Sequence, residues 1–163
     1  MLRVNNEALT FDDVLLVPGY SEVTAKDVSI TSQLTREIGM QVPLLSAAMD
    51  TVTETAMANT MCKYGGLGII HRYNTVKEQS NQIHKAHAAG ATNIGAAIGV
   101  TEDYLDRAKY AVMAGANVLC VDIAHGHHCL MKNALKNLKA LFEGTVHIMA
   151  GNVATLEAFN DLA

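Results

Sequence analysis

Short apolar segments recur along the chain at intervals of roughly 25 residues from position 42 onward. Their pattern predicts five strands, at residues 42–46, 67–70, 93–98, 118–123 and 146–150. A segment with the apolar spacing of a helix follows each strand, and in the third of these Leu105, Ala108 and Val112 share one face. Because apolar strands that alternate with helices are typical of a parallel sheet covered on its faces, we expect five βα units.

Residues typical of helix ends stand on either side of the predicted helices. Threonines mark the expected beginnings, at Thr53, Thr75, Thr101 and Thr155. Thr75 and Glu78 match a capping box. Glycines mark the expected carboxyl ends, at Gly65, Gly90, Gly115 and Gly144. The caps and the apolar period therefore predict the same helices.

Residues 1–41 do not follow the repeat, and we interpret them as a lead-in segment before the repeated part at 42–163. Within the lead-in, residues 9–18 combine a polar turn with an apolar stretch. Residues 28–31 alternate between apolar and polar, which predicts an edge strand.

Five parallel βα units fit either a doubly wound open sheet or part of a (β/α)8 barrel. The first strand is not followed by G-x-G-x-x-G, which weakens the dinucleotide-binding open sheet. Polar or glycine-rich positions follow nearly every strand, at Asp50, His71-Arg72, Gly99, His125-Gly126 and Gly151-Asn152. Since barrel enzymes gather their chemistry at the carboxyl ends of the strands, the sequence favours an α/β fold of the (β/α)8 TIM-barrel type. About three of the eight units are missing, so we expect an incomplete barrel.

Composition narrows the class of protein. Half of the residues are apolar and 17% are charged, which indicates an ordered domain. The net charge of −4 gives no basic footprint for nucleic acid. No apolar run has the length of a membrane span and residues 1–7 are no signal peptide, so we expect a cytoplasmic protein without a membrane partner. Three cysteines without C-x-x-C spacing support neither a disulfide framework nor a zinc ribbon.

Four side chains at the predicted strand ends are candidates for ligand binding. Met49 follows small residues and offers a soft side chain for a flat ring. Asp122 is placed to accept hydrogen bonds from ribose hydroxyls, or else caps the next helix. Arg72 suits a phosphate or a surface ion pair. Asn152 suits a sugar or base edge, or else forms a turn. The residue types indicate a nucleotide-like ligand, and the histidines at 125, 127 and 128 lack the spacing of a metal site.

Five motifs resemble the IMP dehydrogenase/GMP reductase family of (β/α)8 barrels. They are L-T-F-D-D-V-L-L-V-P-G-Y-S-E-V (9–23), P-L-L-S-A-A-M-D-T-V-T-E (43–54), G-G-L-G-I-I-H-R (65–72), V-D-I-A-H-G-H (121–127) and I-M-A-G-N-V-A-T (148–155). They stand in family order and cover nearly the whole chain. The resemblance implies that Met49 packs on the purine ring and that Asn152 lies near the bound nucleotide. It also implies that Asp122 contacts the nicotinamide ribose, with Ile123 and Ala124 beside it, and that Arg72 contacts the cofactor.

The resemblance leaves two reactions open, both of which transfer hydride at purine C2 through a covalent cysteine adduct. In the first, IMP, NAD and water give XMP and NADH. In the second, GMP and NADPH give IMP and ammonia. The segment S-A-A-M-D-T-V-T-E favours the dehydrogenase. Ile123, the D-I-A-H-G-H and I-M-A-G-N motifs and the absence of an inserted CBS pair favour the reductase. We take the dehydrogenase as the first interpretation.

The resemblance also sets expectations about what lies outside the chain. The nucleophilic cysteine of the family is expected beyond Ala163, since Cys62, Cys120 and Cys129 do not match it. A potassium site of the full enzyme would lie outside this chain as well. The expected partners are IMP or GMP, further copies of the chain (a tetramer by family), or a complementing C-terminal polypeptide. A non-catalytic half-barrel that binds nucleotide or assembles with partners is the alternative from another class.

Overall fold

A computed structural model describes residues 8–163 of the chain. Two short 3-10 helices, Phe11–Asp13 and Ala25–Asp27, precede a hairpin of β1 (Ser32–Gln33) and β2 (Gly39–Met40). The remaining strands are β3 (Leu45–Ser46), β4 (Leu67–Ile70), β5 (Ile94–Ile98), β6 (Val118–Asp122) and β7 (His147–Gly151). The helices are α1 (Thr55–Lys63), α2 (Val76–Ala88), α3 (Tyr104–Met113), α4 (Cys129–Phe142) and α5 (Leu156–Leu162).

Strands β3 to β7 form one parallel sheet whose spatial order is the same as the order in the chain. A doubly wound sheet reverses its strand order at a switch point, and this sheet has no such reversal. The sheet curls as a half-barrel, and its register places Asp122 of β6 opposite Gly151 of β7. The predicted fold class, an incomplete (β/α)8 barrel, is confirmed.

The helices cover one face of this sheet. The larger group of buried apolar residues joins alternate strand positions such as Ile70, Ile98 and Leu119 to helix residues such as Ile83 and Leu138. Helices α1 to α4 contribute buried residues to this group, and α5 adds Leu162, partly buried. Coverage of a single face by successive helices is the arrangement of a barrel wall.

A smaller group of buried residues lies on the opposite face, which is the inner face of the half-barrel. It is formed by the intervening strand positions Leu67, Ile69, Ala97 and Val118. Ile38, from the hairpin turn between β1 and β2, completes it. The hairpin therefore covers part of the inner face, whereas Phe11 and Leu16 in the lead-in are exposed. The edge strand predicted at 28–31 is wrong, because pairing begins only at Ser32.

The predicted helix ends are correct at most positions. All four marker glycines have a positive φ, and each lies two residues after the last residue of a helix. Thr75 and Thr155 cap α2 and α5 through their hydroxyl groups, which accept from the backbone of Glu78 and Ala158.

Two predicted N-caps are wrong. The hydroxyl of Thr53 is buried and donates to the carbonyl of Ala47 at 2.6 Å, so α1 is preceded by Glu54 instead. The residue after Thr101 is Glu102, whose φ of 57° delays the start of α3 until after Asp103. In both cases a contact or a turn outside the helix decides where the helix begins.

Substitution of Thr75 tests whether this threonine caps a helix while Thr101 does not. Thr75→Ala removes the hydroxyl that caps Glu78 N and is expected to lower the free energy of unfolding by about 1 kcal/mol. Thr101→Ala is the matched control and is expected to change it by less than about 0.5 kcal/mol, since Thr101 caps no helix. Urea unfolding followed by circular dichroism measures both values. Equal losses would contradict the assignment.

Candidate functional site

The carboxyl ends of β4 to β7 bring four of the candidate residues to one rim of the half-barrel. Arg72 follows β4, Asp122 ends β6 with Ile123 after it, and Asn152 follows β7. Arg72 and Asp122 are 50 positions apart in the chain, and Asp122 and Asn152 are 30 apart. Parallel pairing of neighbouring strands places them at the same edge.

Arg72 crosses the end of β5 to reach β6. Its Nη2 donates to the carbonyl oxygen of Asp122 at 3.3 Å. The guanidinium carbon lies 5.9 Å from the centre of the Tyr73 ring, within the range of a cation–π contact. Between these strands, a Cβ added to Gly99 would lie 3.5 Å from Nη1 of Arg72. These contacts hold the side chain over the strand ends. Among the described residues, it does not form the surface salt bridge that the sequence left open.

A cleft of about 210 Å³ opens beside Arg72. Its lining includes two basic residues, Arg72 and Arg107, two acidic residues, Glu102 and Asp103, and residues that follow β5 and β6. The cleft is smaller than the roughly 300–1,000 Å³ of a complete ligand pocket. It can therefore hold only part of a nucleotide, such as one charged or hydroxylated group.

The loops that follow β6 and β7 form one hydrogen-bonded unit. Ile123 N–H donates to Gly151 O at 3.0 Å, and Asn152 N–H donates back to Ile123 O at 2.8 Å. Gly126 N–H donates to Asn152 O at 2.7 Å. These bonds fix Asn152 against the backbone that carries Asp122 and Ile123. Ala124, between them and Gly126, is exposed.

Met49 lies in a tight turn after β3, the strand next to the one that precedes Arg72. Its side chain is 50% exposed, so a flat ring has access to it. Thr53 anchors this turn, since it bonds to Ser46 and Ala47 at the end of β3 and its carbonyl accepts from His71 N at 3.4 Å.

Four polar residues beneath the rim are buried, which the sequence pattern did not predict: Thr53, His71, Gln79 and Arg107. His71 accepts the Tyr73 N–H on Nδ1, so Nε2 carries the proton that faces Glu54 at 3.4 Å. A signal existed for Gln79, which stands four positions before Ile83 and seven before Ala86, on the buried face of α2. A polar residue at such a position needs an internal partner.

The three histidines after β6 do not converge. His127 pairs with Asp161 at 3.0 Å, and His128 accepts from Leu130 N at the beginning of α4. Within residues 8–163, no group of three or more His, Cys, Asp or Glu side chains is arranged to hold a metal ion.

The cysteines differ in their surroundings. Burial, together with the nearby Asp122 carboxylate, raises the pKa of the Cys120 thiol to about 11. Partial burial raises the pKa of Cys62, but hydrogen bonds from the backbone of Asn93 and Thr92 outweigh it and lower that pKa overall. Cys129 is exposed.

Cys120 is therefore expected to resist alkylation. Its pKa rises from 9.0 to about 11, so at pH 8 the folded protein holds about a hundredfold less Cys120 thiolate than the unfolded chain. Because the folded pKa is the higher one, the associated stability is present below pH 9 and is lost as the pH rises toward 11. Iodoacetamide labelling in buffer and in urea, read by peptide mass spectrometry, measures the ratio. Equal rates would contradict it.

No helix among the described residues is both long enough and apolar enough to cross a membrane.

A sequence model of the IMP dehydrogenase / GMP reductase domain matches residues 8–163. Inosine-5'-monophosphate dehydrogenase of Cryptosporidium parvum is 34% identical over 198 residues, which cover 96% of this chain and 48% of the relative. The enzyme of that name from Borreliella burgdorferi is 32% identical over 209 residues, covering 98% of this chain and 52% of the relative.

A third relative, inosine-5'-monophosphate dehydrogenase of Nitrosopumilus maritimus, is 46% identical over 98 residues, covering 60% of this chain and 21% of the relative. The chain spans about half the length of the first two relatives. The family model matches nearly the whole chain, and the parallel half-barrel is the corresponding part of the barrel fold. The chain belongs to the IMP dehydrogenase/GMP reductase family of oxidoreductases.

Proposed function

We propose that this chain forms the nucleotide-binding half of an IMP dehydrogenase, which converts IMP, NAD and water to XMP and NADH. The observation that carries the proposal is the contact between the strand ends: Arg72 bonds to Asp122, and Asn152 bonds to Ile123. One ligand that lies along the rim would touch all four residues. In this proposal residues 1–41 are the lead-in, 42–163 are the partial barrel, and the protein is cytoplasmic.

The residues at the rim divide into two groups. Asp122, Ile123, Ala124 and Arg72 are assigned to NAD, and Met49 and Asn152 to IMP. The donors fit these ligands: a carboxylate accepts from ribose hydroxyls, and a guanidinium pairs with phosphate or stacks on a ring. The cleft beside Arg72 is large enough for one ribose or phosphate group of a dinucleotide. When bound, NAD supplies the hydride acceptor, while these side chains hold and orient it.

The reaction needs a nucleophilic cysteine that the described residues do not supply. A raised pKa makes Cys120 a poor nucleophile, and the family resemblance matches neither Cys62 nor Cys129 to the nucleophile. We therefore assign the nucleophile, together with any potassium site, to a polypeptide segment that continues the sheet beside β7. All five residues of β7 are partly exposed, as in a strand that can accept a further neighbour. Homo-oligomerisation, as a tetramer, is part of the same proposal.

The first experiment tests binding and turnover together. The purified chain is assayed for NADH formation from IMP and NAD, alone and mixed with a polypeptide that supplies units six to eight of the barrel. Activity only in the mixture is expected. Activity of the chain alone would overturn the assignment of the nucleophile. Nucleotide binding without turnover in either sample would favour the non-catalytic half-barrel.

The second candidate is GMP reductase, which Ile123 after Asp122 favours. Replacing IMP and NAD by GMP and NADPH in the same assay separates the two reactions, since only the reductase consumes NADPH.

Substitution of Asp122 tests the assignment of the cofactor. Asp122→Ala is expected to weaken the binding of NADH about tenfold or more, as measured by its fluorescence, because the acceptor for the ribose hydroxyls is lost. Asp106→Ala is the control, since that carboxylate is exposed on α3 and, among residues 8–163, pairs only with Lys109, at 3.5 Å. Equal affinities of both variants would remove Asp122 from the site.

A further inference from the structure

Gln79 joins α2 to the carboxyl ends of two strands. Its side chain is 1% exposed. The amide nitrogen donates to Ile70 O at 3.3 Å, His71 O at 2.9 Å and Ala97 O at 2.8 Å. Ile70 is the last residue of β4, His71 directly follows it, and Ala97 lies one residue before the end of β5. A single buried amide group therefore bridges the two strand ends that flank the cleft.

Arg107 holds Gln79 in that orientation. It comes from α3, is 6% exposed, and its Nη1 donates to Oε1 of Gln79 at 3.3 Å. Because a guanidinium only donates, Oε1 must face it and the amide nitrogen must face the carbonyls. Arg107 also donates to Asn74 O at 2.9 Å and to the Asp103 carboxylate at 2.8 Å. The charge is thus paired, and the network links α3, α2 and the loop between β4 and α2.

A buried polar network with its partners in place rigidifies the segments it joins. Here the segment is the backbone of His71, whose successor is Arg72. Arg72 Nη2 reaches Asp122 O across the end of β5 through a long hydrogen bond of 3.3 Å. This contact therefore depends on the spacing between the ends of β4 and β5, which Gln79 bridges. A shift of His71 would move the guanidinium away from the end of β6.

We propose that Gln79 and Arg107 are positioning residues: they fix the ends of β4 and β5 so that Arg72 lies over β6, in the place where it meets the cofactor. This inference rests on the proposed function for the role of Arg72. Neither residue is assigned a contact with the nucleotide. Arg107 acts through Gln79 even though part of it lines the cleft.

The test compares Gln79→Met with Gln82→Met in the 163-residue chain. Both substitutions remove an amide from α2, but Gln82 bonds to Glu54 at 3.2 Å and not to a strand end. One readout is the side-chain Nε–H signal of Arg72 in an NMR spectrum, which needs no ligand. The other is the dissociation constant for NADH. For Gln79→Met, we expect a shifted or broadened Arg72 signal and about tenfold weaker binding. For Gln82→Met we expect neither.

The two readouts separate this inference from the proposed function. If the unaltered chain does not bind NADH, the proposed function fails, and the Arg72 signal still decides on positioning. If that signal stays unchanged in Gln79→Met, the positioning role is overturned, since a loss of stability alone would leave it in place. Should Gln79→Met not fold, Arg107→Lys takes its place. The lysine keeps a cation for Asp103, but its single ammonium group cannot reach both Gln79 and Asn74. The same shift of the Arg72 signal is therefore expected, and the absence of that shift would overturn the proposal.

Discussion

Gly68→Ala is expected to lower the free energy of unfolding by about 3 kcal/mol, the upper part of the usual range for overpacking a core. Gly68 lies in β4, whose four residues are all buried. A Cβ at this position would lie 2.6 Å from Cα of Ala58 and 3.1 Å from its Cβ, in α1. These atoms belong to the helix backbone or are attached to it directly, so no side-chain rotation relieves the clash. The helix must move away from the sheet.

Gly39→Ala is the matched control for this effect. Gly39 is also a strand residue, but its added Cβ would meet only the side chain of Gln33, at 3.5 Å, an ordinary contact. Its stability is expected to change by less than about 0.5 kcal/mol. Urea unfolding of the three proteins gives the values. A loss below about 1 kcal/mol for Gly68→Ala would show that α1 does not pack on β4 as closely as described.

The interior strands β4, β5 and β6 were predictable because strand-forming residues and a continuous apolar run occur together in them. Residues 67–70 and β4 coincide, β5 and β6 each differ from the prediction by one residue at one end, and β7 is shifted by one residue at both ends. All residues of β4 and β5 are buried, so these two strands combine strand-forming residues with burial on both faces. The first strand, predicted at 42–46, is reduced to Leu45–Ser46. It lies at the edge of the sheet among the described residues, and Pro43 has no N–H to offer a neighbour.

The site was predictable only in part. Residues after a parallel strand share one rim whatever their separation in the chain, so Arg72, Asp122 and Asn152 follow from the strand positions. The buried side chains that hold these residues in place do not follow from the strand positions. Gln79 shares the apolar period of α2 with Ile83 and Ala86, so its burial could have been predicted. Arg107 stands among ordinary polar residues of α3, and its burial depends on how that helix faces the sheet. That angle is a property of tertiary packing and is absent from any local pattern.

Gly126→Ala is expected to weaken nucleotide binding about a hundredfold. A Cβ on Gly126 would lie 2.7 Å from the carbonyl oxygen of Asn152 and 3.2 Å from its carbonyl carbon and nitrogen, so the loops after β6 and β7 must separate. In the proposed function one loop contacts the cofactor and the other the substrate. A hundredfold loss corresponds to about 2.7 kcal/mol, the size expected when the hydrogen bonds of one loop to the ligand are lost. Isothermal titration with NADH and IMP measures it.

The structural cause is separable from the ligand. Amide hydrogen exchange reports on the bonds Gly126 N to Asn152 O and Asn152 N to Ile123 O, and both amides are expected to exchange faster in Gly126→Ala because the loops no longer meet. Gly99→Ala is the control for exchange. Its Cβ would touch only the end of the flexible Arg72 side chain, at 3.5 Å, so the same amides should keep their protection. Faster exchange with unchanged affinity would mean that the nucleotide does not bridge the two loops. Unchanged exchange would mean that the contact between Gly126 and Asn152 is looser than 2.7 Å, because a methyl group would then fit between the loops.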